Sequence, residues 1–573
     1  MADTAAPAPA ESRGASSPWP DALSVAAMLA LAVLFYLPSL VNGPPIGDSY
    51  HFNLAWAASF AEALAAGDPY PRWLHGMWDG AGGPDFYFYA PLPFYLSATA
   101  LALCGCGAAG GLSLAMLALH FASGLGAWWL AAELGLKRIA RLAAALGFMA
   151  MPYHLIDWSV RHAVGELAAA ACIGFLLGAF VRVLREGRGH VVFGVATALM
   201  ALSHLPSLIT TAVVCACLLP VFRRSLSVGR LAGLGLTGLL GVLAAAVYWL
   251  PAITLLDTVS RHYLDDHFWG GHLLTPTALF LGGTAGHVYL AGLGLTLAAV
   301  AALLAARAAL RERWGGADPD ALRLIVVTLA SCWVMMTPLS IPLWFFTPIG
   351  IIQFPWRFML IADLALALAF GLAVALASEP QRARRLAGVA AVAMAVVIAL
   401  GQPPWWRSDG PNTRFDFLLE ARAGPFEWIP ATAPPHDFTW PQMTRTETLL
   451  APLDDPRTLR IAAGKGATTL LEEGPRRLRF AADCPEGCTV VVRRTAWAFW
   501  RLEADAGEAP AIAQTDGYPL IELALPPGGA TYRLVLERPV TERIAVGLSL
   551  AALLAAAAML LLLRRRKAAG RAA

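Results

Sequence analysis

Charged side chains are scarce in this sequence. Only 14% of its 573 residues are Asp, Glu, Lys or Arg, whereas 58% are hydrophobic and the mean hydropathy is +0.59. A soluble fold has too little interior to hide so much apolar surface, so the composition indicates a polytopic membrane protein. The net charge is only +3, and the basic residues stand in short clusters between apolar runs. This pattern is typical of membrane topology, and we expect no nucleic-acid partner.

Cysteine is also sparse, with eight in the chain. Six lie in or beside apolar segments, where a free thiol behaves as a small hydrophobic group: Cys104, Cys106, Cys172, Cys215, Cys217 and Cys332. Cys484 and Cys488 form a pair in a polar region. Outside the cytoplasm this pair would suit a small disulfide loop, and a zinc site is disfavoured because no second pair of ligands accompanies it.

The apolar runs predict an all-α polytopic membrane domain of about 12–13 helices, on the expectation of about 20 residues per span. In chain order the runs are 22–41, 91–107, 110–131, 142–156, 163–183, 191–204, 207–222, 231–251, 286–306, 322–343, 357–378, 385–401 and 542–563. The first run is too long for the core of a signal peptide and lacks a cleavage site. We therefore interpret it as an uncleaved anchor.

Basic clusters mark the expected cytoplasmic ends of these spans. They are Lys137/Arg138/Arg141, Arg182/Arg185/Arg188, Arg223/Arg224/Arg230, Arg307/Arg311/Arg313, Arg382/Arg384/Arg385 and Arg564/Arg565/Arg566/Lys567. With a cytoplasmic N-terminus, an odd number of crossings must separate the first outer loop from Lys137, yet two apolar runs lie between them. Either one of the runs 91–107 and 110–131 does not cross the membrane, or the N-terminus lies outside.

Composition divides the chain into four parts. Residues 1–20 are rich in Ala, Pro and Ser and predict a disordered tail. Residues 21–401 predict the transmembrane domain, with a large first extracytoplasmic loop over 42–90. From 402 to 541, alternating polar and apolar residues broken by Gly and Pro turns predict an extracytoplasmic antiparallel β domain, similar to a sandwich. A last span and a basic cytoplasmic tail occupy 542–573.

Four short segments carry a family resemblance. They are GDSYHF (47–52), YPRW (70–73) and FYFYAPLPFYL (86–96) in the first loop, and QFPWRF (353–358) in a later outer loop. They resemble the GT-C superfamily of membrane glycosyltransferases, and most closely the bacterial integral membrane proteins labelled "6-pyruvoyl-tetrahydropterin synthase-related" and their YfhO-like relatives. The segment WAFWRLEADAG (497–507) is similar to the β-sandwich of YfhO-like proteins.

The resemblance implies an integral membrane enzyme, a glycosyltransferase of GT-C type. Such an enzyme transfers a sugar, with inversion and without a cofactor, from a polyprenyl-phosphate-linked donor to a glycan, lipid or protein acceptor of the cell envelope. Its active site and β domain would lie on the extracytoplasmic side, in contact with membrane lipid. The bias towards Ala, Gly and Arg indicates a bacterium with a GC-rich genome and hence the cytoplasmic (inner) membrane. The sequence predicts no oligomeric state.

Asp48 is the predicted catalytic residue. In the superfamily, the matching acidic residue after the first transmembrane helix binds the acceptor hydroxyl and takes its proton, so the resemblance implies that Asp48 is a general base. Asp48 would equally suit a cap on the helix that starts near Ser49. Many GT-C enzymes carry two adjacent acidic residues here, and Ser49 stands in place of the second. A single carboxylate is a poor magnesium or manganese site, so we expect no metal.

A departing lipid phosphate needs cationic partners, and arginine offers two hydrogen bonds in a planar fork. The candidates for binding the donor phosphate are Arg357, Arg72, Arg161 and His162. Any one arginine would also suit an interfacial position with its head among lipid headgroups. Arg357 is distinguished because Gln353, Trp356 and Arg357 match the family motif together.

Other side chains are predicted to line the substrate site: His51, Trp73, His154, Glu166, His204, Gln353 and Trp356. The histidines would assist proton transfer or serve as structural hydrogen-bonding groups. The tryptophans would stack on sugar rings or belong to the aromatic belt of the membrane interface. Glu166 follows His162 by four residues and is placed to pair with it or with Arg161.

Two other functional classes stay open. A lipid or glycan transporter would carry charges at the membrane midplane and broken helices, whereas the charges here gather at one face. A non-catalytic scaffold for envelope assembly would keep the fold without the chemistry, and the missing second acidic residue is consistent with it.

Overall fold

The computed structural model describes residues 19–259, 268–281, 284–309, 319–376, 454–516 and 518–572. The α-helices in these ranges are α1 (Ala22–Asn42), α2 (Tyr50–Ala65), α3 (Asp85–Phe88), α4 (Leu92–Cys104), α5 (Gly107–Glu133), α6 (Arg138–Met149), α7 (Pro152–Ser159), α8 (Val164–Glu186), α9 (His190–Ser203), α10 (Leu205–Leu218), α11 (Val228–Ala244), α12 (Ala246–Thr254), α13 (Pro276–Leu281), α14 (Thr284–Ala309), α15 (Pro319–Met336), α16 (Ile341–Phe346), α17 (Met359–Leu376) and α18 (Val540–Ala572).

Within the described ranges, seven stretches are long and apolar enough to cross a membrane, or up to nine if each of two bent helix pairs counts as one span. The bent pairs are α11 with α12, at 71°, and Asp320–Met336 with Pro338–Phe346, at 81°. The prediction of a helical membrane domain followed by an antiparallel β domain is thereby confirmed. Residues 1–18 of the predicted tail, the predicted span 385–401 and residues 402–453 of the predicted β domain lie outside the described ranges.

Helix α4 bears on the unresolved topology of the first loop. It has 13 residues, which corresponds to a rise of about 20 Å, and the hydrocarbon core of a bilayer is about 30 Å thick. Helix α5 has 27 residues and is long enough to cross. The lengths favour the alternative in which the run 91–107 does not cross the membrane and α5 does.

Charged groups join several helices at the end of the bundle opposite Asp48. Arg182 pairs with Glu133 at 3.5 Å, Arg185 donates to the Glu133 carbonyl oxygen at 2.7 Å, and Arg185 lies 3.7 Å from Asp320. The ends of α5 and α8 thus meet the start of α15. Of the predicted basic clusters, Arg311/Arg313 and Arg382/Arg384/Arg385 lie outside the described ranges.

Helices α8 and α17 form the buried centre of the bundle. Gly174 of α8 packs so closely on α5 that a Cβ at this position would lie 2.3 Å from the carbonyl carbon of Gly126. Such contacts between small residues let membrane helices approach without a polar driving force. On α17, buried Asp363 accepts a hydrogen bond at 3.2 Å from the backbone N–H of Tyr153 and so caps the start of α7.

The β domain contains two four-stranded antiparallel sheets with strand orders β1-β4-β7-β6 and β2-β3-β8-β5. Its strands are β1 (Leu459–Gly464), β2 (Ala467–Gly474), β3 (Arg477–Cys484), β4 (Cys488–Thr495), β5 (Trp500–Ala504), β6 (Ile512–Gln514), β7 (Leu520–Leu525) and β8 (Gly528–Leu536). Alternate residues of β3 and β8 are buried, among them Phe480 and Leu534, as expected for strands with one face on a core.

Two disulfides occur among the described residues. Cys484 and Cys488 are joined across the turn between β3 and β4, with a Cα–Cα distance of 5.5 Å. Cys104 and Cys106 are also joined, at the end of α4. The expectation that these two are free apolar thiols was wrong, because the turn after α4 brings their sulfur atoms together. Cys172, Cys215, Cys217 and Cys332 are free.

The β domain rests on the first loop. The ring of Trp73 stacks near Trp497 at a centroid distance of 6.0 Å, and Tyr87 contacts the same tryptophan at 4.7 Å. The backbone N–H of Thr495 donates to the carbonyl oxygen of Ala81 at 2.9 Å. An aromatic core and a backbone hydrogen bond therefore fix the first loop between the helical bundle and the sheets.

Candidate active site

Asp48 is held against the segment between α7 and α8 by backbone hydrogen bonds. Its N–H donates to the carbonyl oxygen of Val160 at 2.8 Å, and the N–H of Ser49 donates to that of Arg161 at 3.1 Å. Gly47 permits this approach, since a Cβ there would lie 2.4 Å from the Val160 oxygen. Two loops more than 100 residues apart in sequence are thus joined by backbone hydrogen bonds beside the predicted base.

The side chain of Asp48 remains accessible to solvent. Helix α2 begins at Tyr50, with Ser49 as N-cap and no side-chain capping hydrogen bond, so the capping interpretation of Asp48 has no support in the geometry. Desolvation by the surrounding loops raises the pKa of Asp48 above its usual range, and the positive charge of Arg161 opposes the rise. A carboxylate with a raised pKa is a stronger base than an ordinary one.

Glu166, at the start of α8, is the centre of a buried charged group that we term the Glu166 cluster: Tyr153, Asp157, Arg161, Glu166 and Arg357. Arg161 grips the Glu166 carboxylate with both Nη atoms, at 3.0 and 2.9 Å. Arg357 donates from Nε to the same carboxylate at 2.8 Å. Glu166 thus pairs with Arg161, one of the two partners predicted for it. Arg357, 191 residues further along the chain, binds the same carboxylate.

Tyr153 and Asp157 complete the cluster from α7. The hydroxyl of Tyr153 donates to Glu166 and accepts from Arg161 at 2.8 Å, while Asp157 accepts from Arg161 at 2.5 Å. All of these side chains are at least nine-tenths buried. Buried charges persist only when paired, and here two guanidinium groups share one central carboxylate.

Arg357 keeps part of its hydrogen-bonding capacity. Its ion pair with Glu166 uses Nε. Within the described part of the chain, its two Nη atoms make no hydrogen bond. The ring of Phe354 lies against both guanidinium groups, 5.0 Å from that of Arg357 and 5.8 Å from that of Arg161. A second anion could therefore bind to the Nη atoms while Glu166 holds Nε.

The other predicted residues of QFPWRF surround this arginine. Trp356 stacks on Phe354 at 4.6 Å and meets His272 edge-on at 4.8 Å. Gln353 is half-buried at the same turn. The rings of Phe354 and Trp356 therefore stack on each other next to the guanidinium group of Arg357.

His162 and His51 lie next to Asp48. His162 follows Arg161 directly and stacks on Trp158 at a centroid distance of 4.6 Å. Burial, and then the nearby His51, lower the pKa of His162 to about 3. Both imidazoles are buried, and His162 is neutral at physiological pH.

His204 caps α10 and faces the Glu166 cluster. Its Nδ1 accepts from the backbone N–H of Ser207 at 3.3 Å. Burial lowers the pKa of His204 to about 3, with a further contribution from the charge of Arg357. This histidine is therefore neutral and serves as a cap.

Three predicted site residues lie elsewhere. Arg72 lies 3.6 Å from Glu542 at the start of α18. Trp73 packs in the contact with the β domain, as described above. The imidazoles of His154 and His120 meet at 3.2 Å beneath α7. The structure does not bring these side chains to the Glu166 cluster.

Four residues of the site were not predicted: Asn53, Tyr153, Asp157 and Asp363. Asp157 precedes Arg161 by four residues, a spacing that indicates pairing on a helix. Nothing in the sequence marks the other three, because their partners are distant in the chain. Among the described residues, no group of three or more His, Cys, Asp or Glu side chains could hold a metal ion.

No protein-family model matches the chain, and no curated protein matches it. The chain is similar to the solved structure of arabinofuranosyltransferase AftD from Mycobacteria, with 16% identity and a TM-score of 0.47 over 91% of this chain and 40% of that chain. It is also similar to the Archaeoglobus fulgidus oligosaccharyltransferase tethered with an acceptor peptide, with 15% identity and a TM-score of 0.44 over 74% of this chain and 63% of that chain.

A third similar structure is ArnT from Cupriavidus metallidurans bound to undecaprenyl phosphate. It has 14% identity and a TM-score of 0.31 over 77% of this chain and 96% of that chain. The chain spans about two fifths of the AftD chain and less than two thirds of the oligosaccharyltransferase chain.

Proposed function

We propose that this protein is a GT-C glycosyltransferase of the bacterial inner membrane. It transfers a sugar from a polyprenyl-phosphate-linked donor to an envelope acceptor at the extracytoplasmic face. The observation that carries the proposal is the backbone pairing of Asp48 with Val160, which places an accessible carboxylate of raised pKa near Arg161, whose partner Glu166 also binds Arg357. The motifs GDSYHF, YPRW and QFPWRF support the family assignment, including the resemblance to the YfhO-like proteins.

The reaction needs a base and a stabilised leaving group. Asp48 removes the proton from an acceptor hydroxyl, whose oxygen attacks the anomeric carbon of the donor sugar from the face opposite the phosphate. The bond between that carbon and the phosphate oxygen breaks, and the polyprenyl phosphate departs with the electron pair. The configuration is therefore inverted. The acceptor, whether glycan, lipid or protein, ends with the sugar.

Arg357 is placed to stabilise the departing phosphate. Its Nη atoms are available, and its Nε is fixed by Glu166 at 2.8 Å. Fixing one edge of the guanidinium orients the other before the substrate arrives, which lowers the reorganisation needed in the transition state. Arg161, gripped by Glu166 and Asp157, contributes charge at a second position. The proposed reaction uses no metal and no other cofactor.

The two bent helix pairs are the observation that favours a lipid or glycan transporter. At the first break, however, the Val247 N–H donates to Ser549 and the Val247 carbonyl oxygen accepts from Arg72. At the second, Ser340 donates to the backbone of Met335. Side chains of this protein therefore hydrogen-bond the backbone N–H and C=O groups near each break, whereas transporters present such backbone groups to substrates and ions.

The test is sugar transfer from polyprenyl-phosphate sugars by the full-length protein in lipid. We expect Asp48→Asn, which keeps the shape and removes the base, to lower turnover by about 10²–10⁴-fold. Asp79→Asn, an exposed change on the same loop, is the matched control and should leave turnover unchanged. The native rate should fall on the acid side at a pH above the usual Asp range, because a raised pKa protonates the base earlier.

Two results would overturn parts of this proposal. Native turnover in folded Asp48→Asn would remove Asp48 from the mechanism. Absence of turnover with a panel of polyprenyl-linked donors would favour the scaffold or transporter classes.

A further inference from the structure

Asn53 lies one helical turn into α2 and joins the two loops of the candidate active site. Its Nδ2 donates to the carbonyl oxygen of Ser49 at 2.9 Å and to that of His162 at 2.7 Å. The same nitrogen lies 3.2 Å from Nδ1 of the His162 ring. Asn53 is fully buried. The amide of Asn53 therefore contacts Ser49, which follows Asp48. It also contacts both the backbone and the imidazole of His162, which follows Arg161.

The orientation of this amide follows from its partners. Both carbonyl oxygens can only accept, so the atom of Asn53 that faces them must be the NH₂ group and cannot be the amide oxygen. Flipping the amide would direct its oxygen at two other oxygens. The NH₂ group is thus fixed by its bonds to the carbonyl oxygens of Ser49 and His162, neither of which involves the imidazole ring.

This orientation determines the tautomer of His162. An amide NH₂ has two hydrogens: one is directed at the Ser49 carbonyl oxygen, and the other is shared in a three-centre contact between the His162 carbonyl oxygen and Nδ1 at 3.2 Å. Nδ1 is then unprotonated, because an N–H there would point at the N–H of the amide. The proton of the neutral imidazole must then reside on Nε2. His162 is a structural outlier as well, with a left-handed φ of 54° that only a few per cent of residues other than glycine adopt.

The Nε2 atom of His162 is buried and has no hydrogen-bond partner among the described residues. Trp158 covers one face of the ring, and Tyr50 approaches at a centroid distance of 5.6 Å, nearly perpendicular. An N–H that loses water without gaining a partner destabilises the folded state, and such groups in a native structure require an explanation.

We propose that Asn53 is a positioning residue that holds His162 as the Nε2–H tautomer, so that His162 supplies a neutral hydrogen-bond donor to an oxygen of the substrate. The inference rests on the proposed function, because the site beside Asp48 must receive an oxygen-rich sugar phosphate or hydroxyl acceptor. Neutrality matters here. A donor without charge can bind a substrate oxygen next to Asp48 without forming an ion pair that would lower the basicity of the carboxylate.

The tautomer can be measured without any activity. The protein is labelled with ¹⁵N-histidine, reconstituted in liposomes and studied by solid-state NMR, with His162 assigned among the 12 histidines by the signals missing in His162→Gln. We expect a protonated Nε2 and an unprotonated Nδ1 in the native protein. Asn53→Asp should move the proton to Nδ1, because a carboxylate oxygen accepts where the amide donated. Asn53→Ala should give a mixture, whereas Glu62→Gln, an exposed amide-for-acid change on the same helix, should leave the native pattern.

A native protein with Nδ1 protonated at His162 would overturn the inference, as would an unchanged tautomer in both Asn53 variants. Should Asn53→Asp fail to fold, Asn53→Ala still decides, since the native pattern retained there contradicts the role of Asn53. These outcomes are independent of the glycosyltransferase assay, so failure of the proposed function and failure of this inference are distinguishable.

Turnover gives the second readout. We expect His162→Ala to lower kcat by about 10²-fold with little change in KM, as for loss of a donor that acts in the transition state. His162→Gln, which keeps an N–H at a similar reach, should recover much of this loss. Adding Asn53→Ala to His162→Gln should cause no further loss, because the two residues act as a unit. A full additional loss would show that Asn53 acts by another route.

Discussion

Two buried arginine–glutamate groups differ in how closely the arginines approach the carboxylate. Arg161 and Arg357 hydrogen-bond Glu166 at 2.8–3.0 Å, whereas Arg72 and Arg538 lie 3.6 and 3.8 Å from Glu542. In the second group, which we term the Glu542 cluster (Arg72, Tyr87, Glu542), Arg72 is 1% exposed and lies between Glu542, Tyr87 and the carbonyl oxygen of Val247. In the Glu166 cluster, two arginines share Glu166, and Arg357 retains unused N–H groups.

On the proposed function, the difference separates a structural ion pair from a phosphate-binding group. Arg72 joins the first loop, the break between α11 and α12, and the start of α18, and the ring of Tyr70 covers its guanidinium at 3.9 Å. The Glu166 cluster instead lies beside Asp48, and there the Nε of Arg357 is bound by Glu166 while Asp157 and Glu166 both hold Arg161. The same pairing of arginine with glutamate thus holds parts of the fold together in the Glu542 cluster. In the Glu166 cluster it is suited to anion binding.

The largest expected effect is on turnover at Arg357. Arg357→Ala should lower kcat by about 10²–10³-fold, because the departing phosphate loses an oriented donor. The fold should persist, since Arg161 still pairs with Glu166 through two bonds. Arg357→Lys should be intermediate, as it keeps the charge and loses the fork. Native turnover of folded Arg357→Ala would remove the distinction between the clusters.

The Glu542 cluster should respond in stability rather than in turnover. Arg72→Met should lower the free energy of unfolding by at most about 3–5 kcal/mol, because buried Glu542 would keep only the exposed Arg538, 3.8 Å away, as a cation. The double variant Arg72→Met/Glu542→Gln should recover most of this loss. Unfolding in detergent, with turnover per folded molecule, checks both expectations; an unaffected midpoint in the single variant would show that the pair is dispensable.

Asp85 sharpens the comparison as a buried carboxylate without an arginine. Its Oδ1 accepts from Trp56 at 2.9 Å, and burial raises its pKa to about 6 from the usual 3.8. Because the native state holds the proton more tightly than the unfolded chain, this group costs stability as the pH rises from about 4 to above 6. Asp85→Asn should therefore raise the free energy of unfolding by about 3 kcal/mol at pH 8 and about 1 kcal/mol at pH 4.5. An equal gain at both pH values would show that the carboxylate charge is not the cause.

The smallest effect is expected for the ion pair between Asp79 and Arg493, which joins the first loop to the β domain. Asp79 is 55% exposed, so water screens the pair. Asp79→Asn should lower the free energy of unfolding by less than about 1 kcal/mol. A loss comparable with that of Arg72→Met would mean that burial does not rank these pairs.

Much of the fold could be predicted from local patterns. Apolar length placed α1, α5, α8 and α18 near their observed positions, and alternation placed β3 within the predicted β domain. The disulfide between Cys104 and Cys106 could not be predicted, because it depends on the turn after α4. The bends at Ala245 and Thr337 were also not predicted, since apolar length reports hydrophobicity and not direction.

The candidate site was predicted in part. Asp48, Arg161, Glu166 and Arg357 were chosen from separate motifs, and the structure brings Arg161, Glu166 and Arg357 into contact beside Asp48. Arg72 was chosen on the same chemical grounds and lies in the Glu542 cluster. An arginine in an aromatic loop has the same local sequence pattern in both cases, so the motif could not distinguish them.

The sequence by itself determined that the chain is a multi-span membrane protein, where many of its helices and strands lie, and which loops between the apolar runs carry charge. These properties follow from residue type and from the spacing of apolar residues, both of which are local properties of the chain. Only the tertiary structure decided the partners: Arg357 with Glu166 across 191 residues, Asn53 with His162 across 109, and Tyr87 with Glu542 across 455. Such contacts depend on how distant helices pack, and each is fixed because a buried polar group must find a partner wherever the fold offers one.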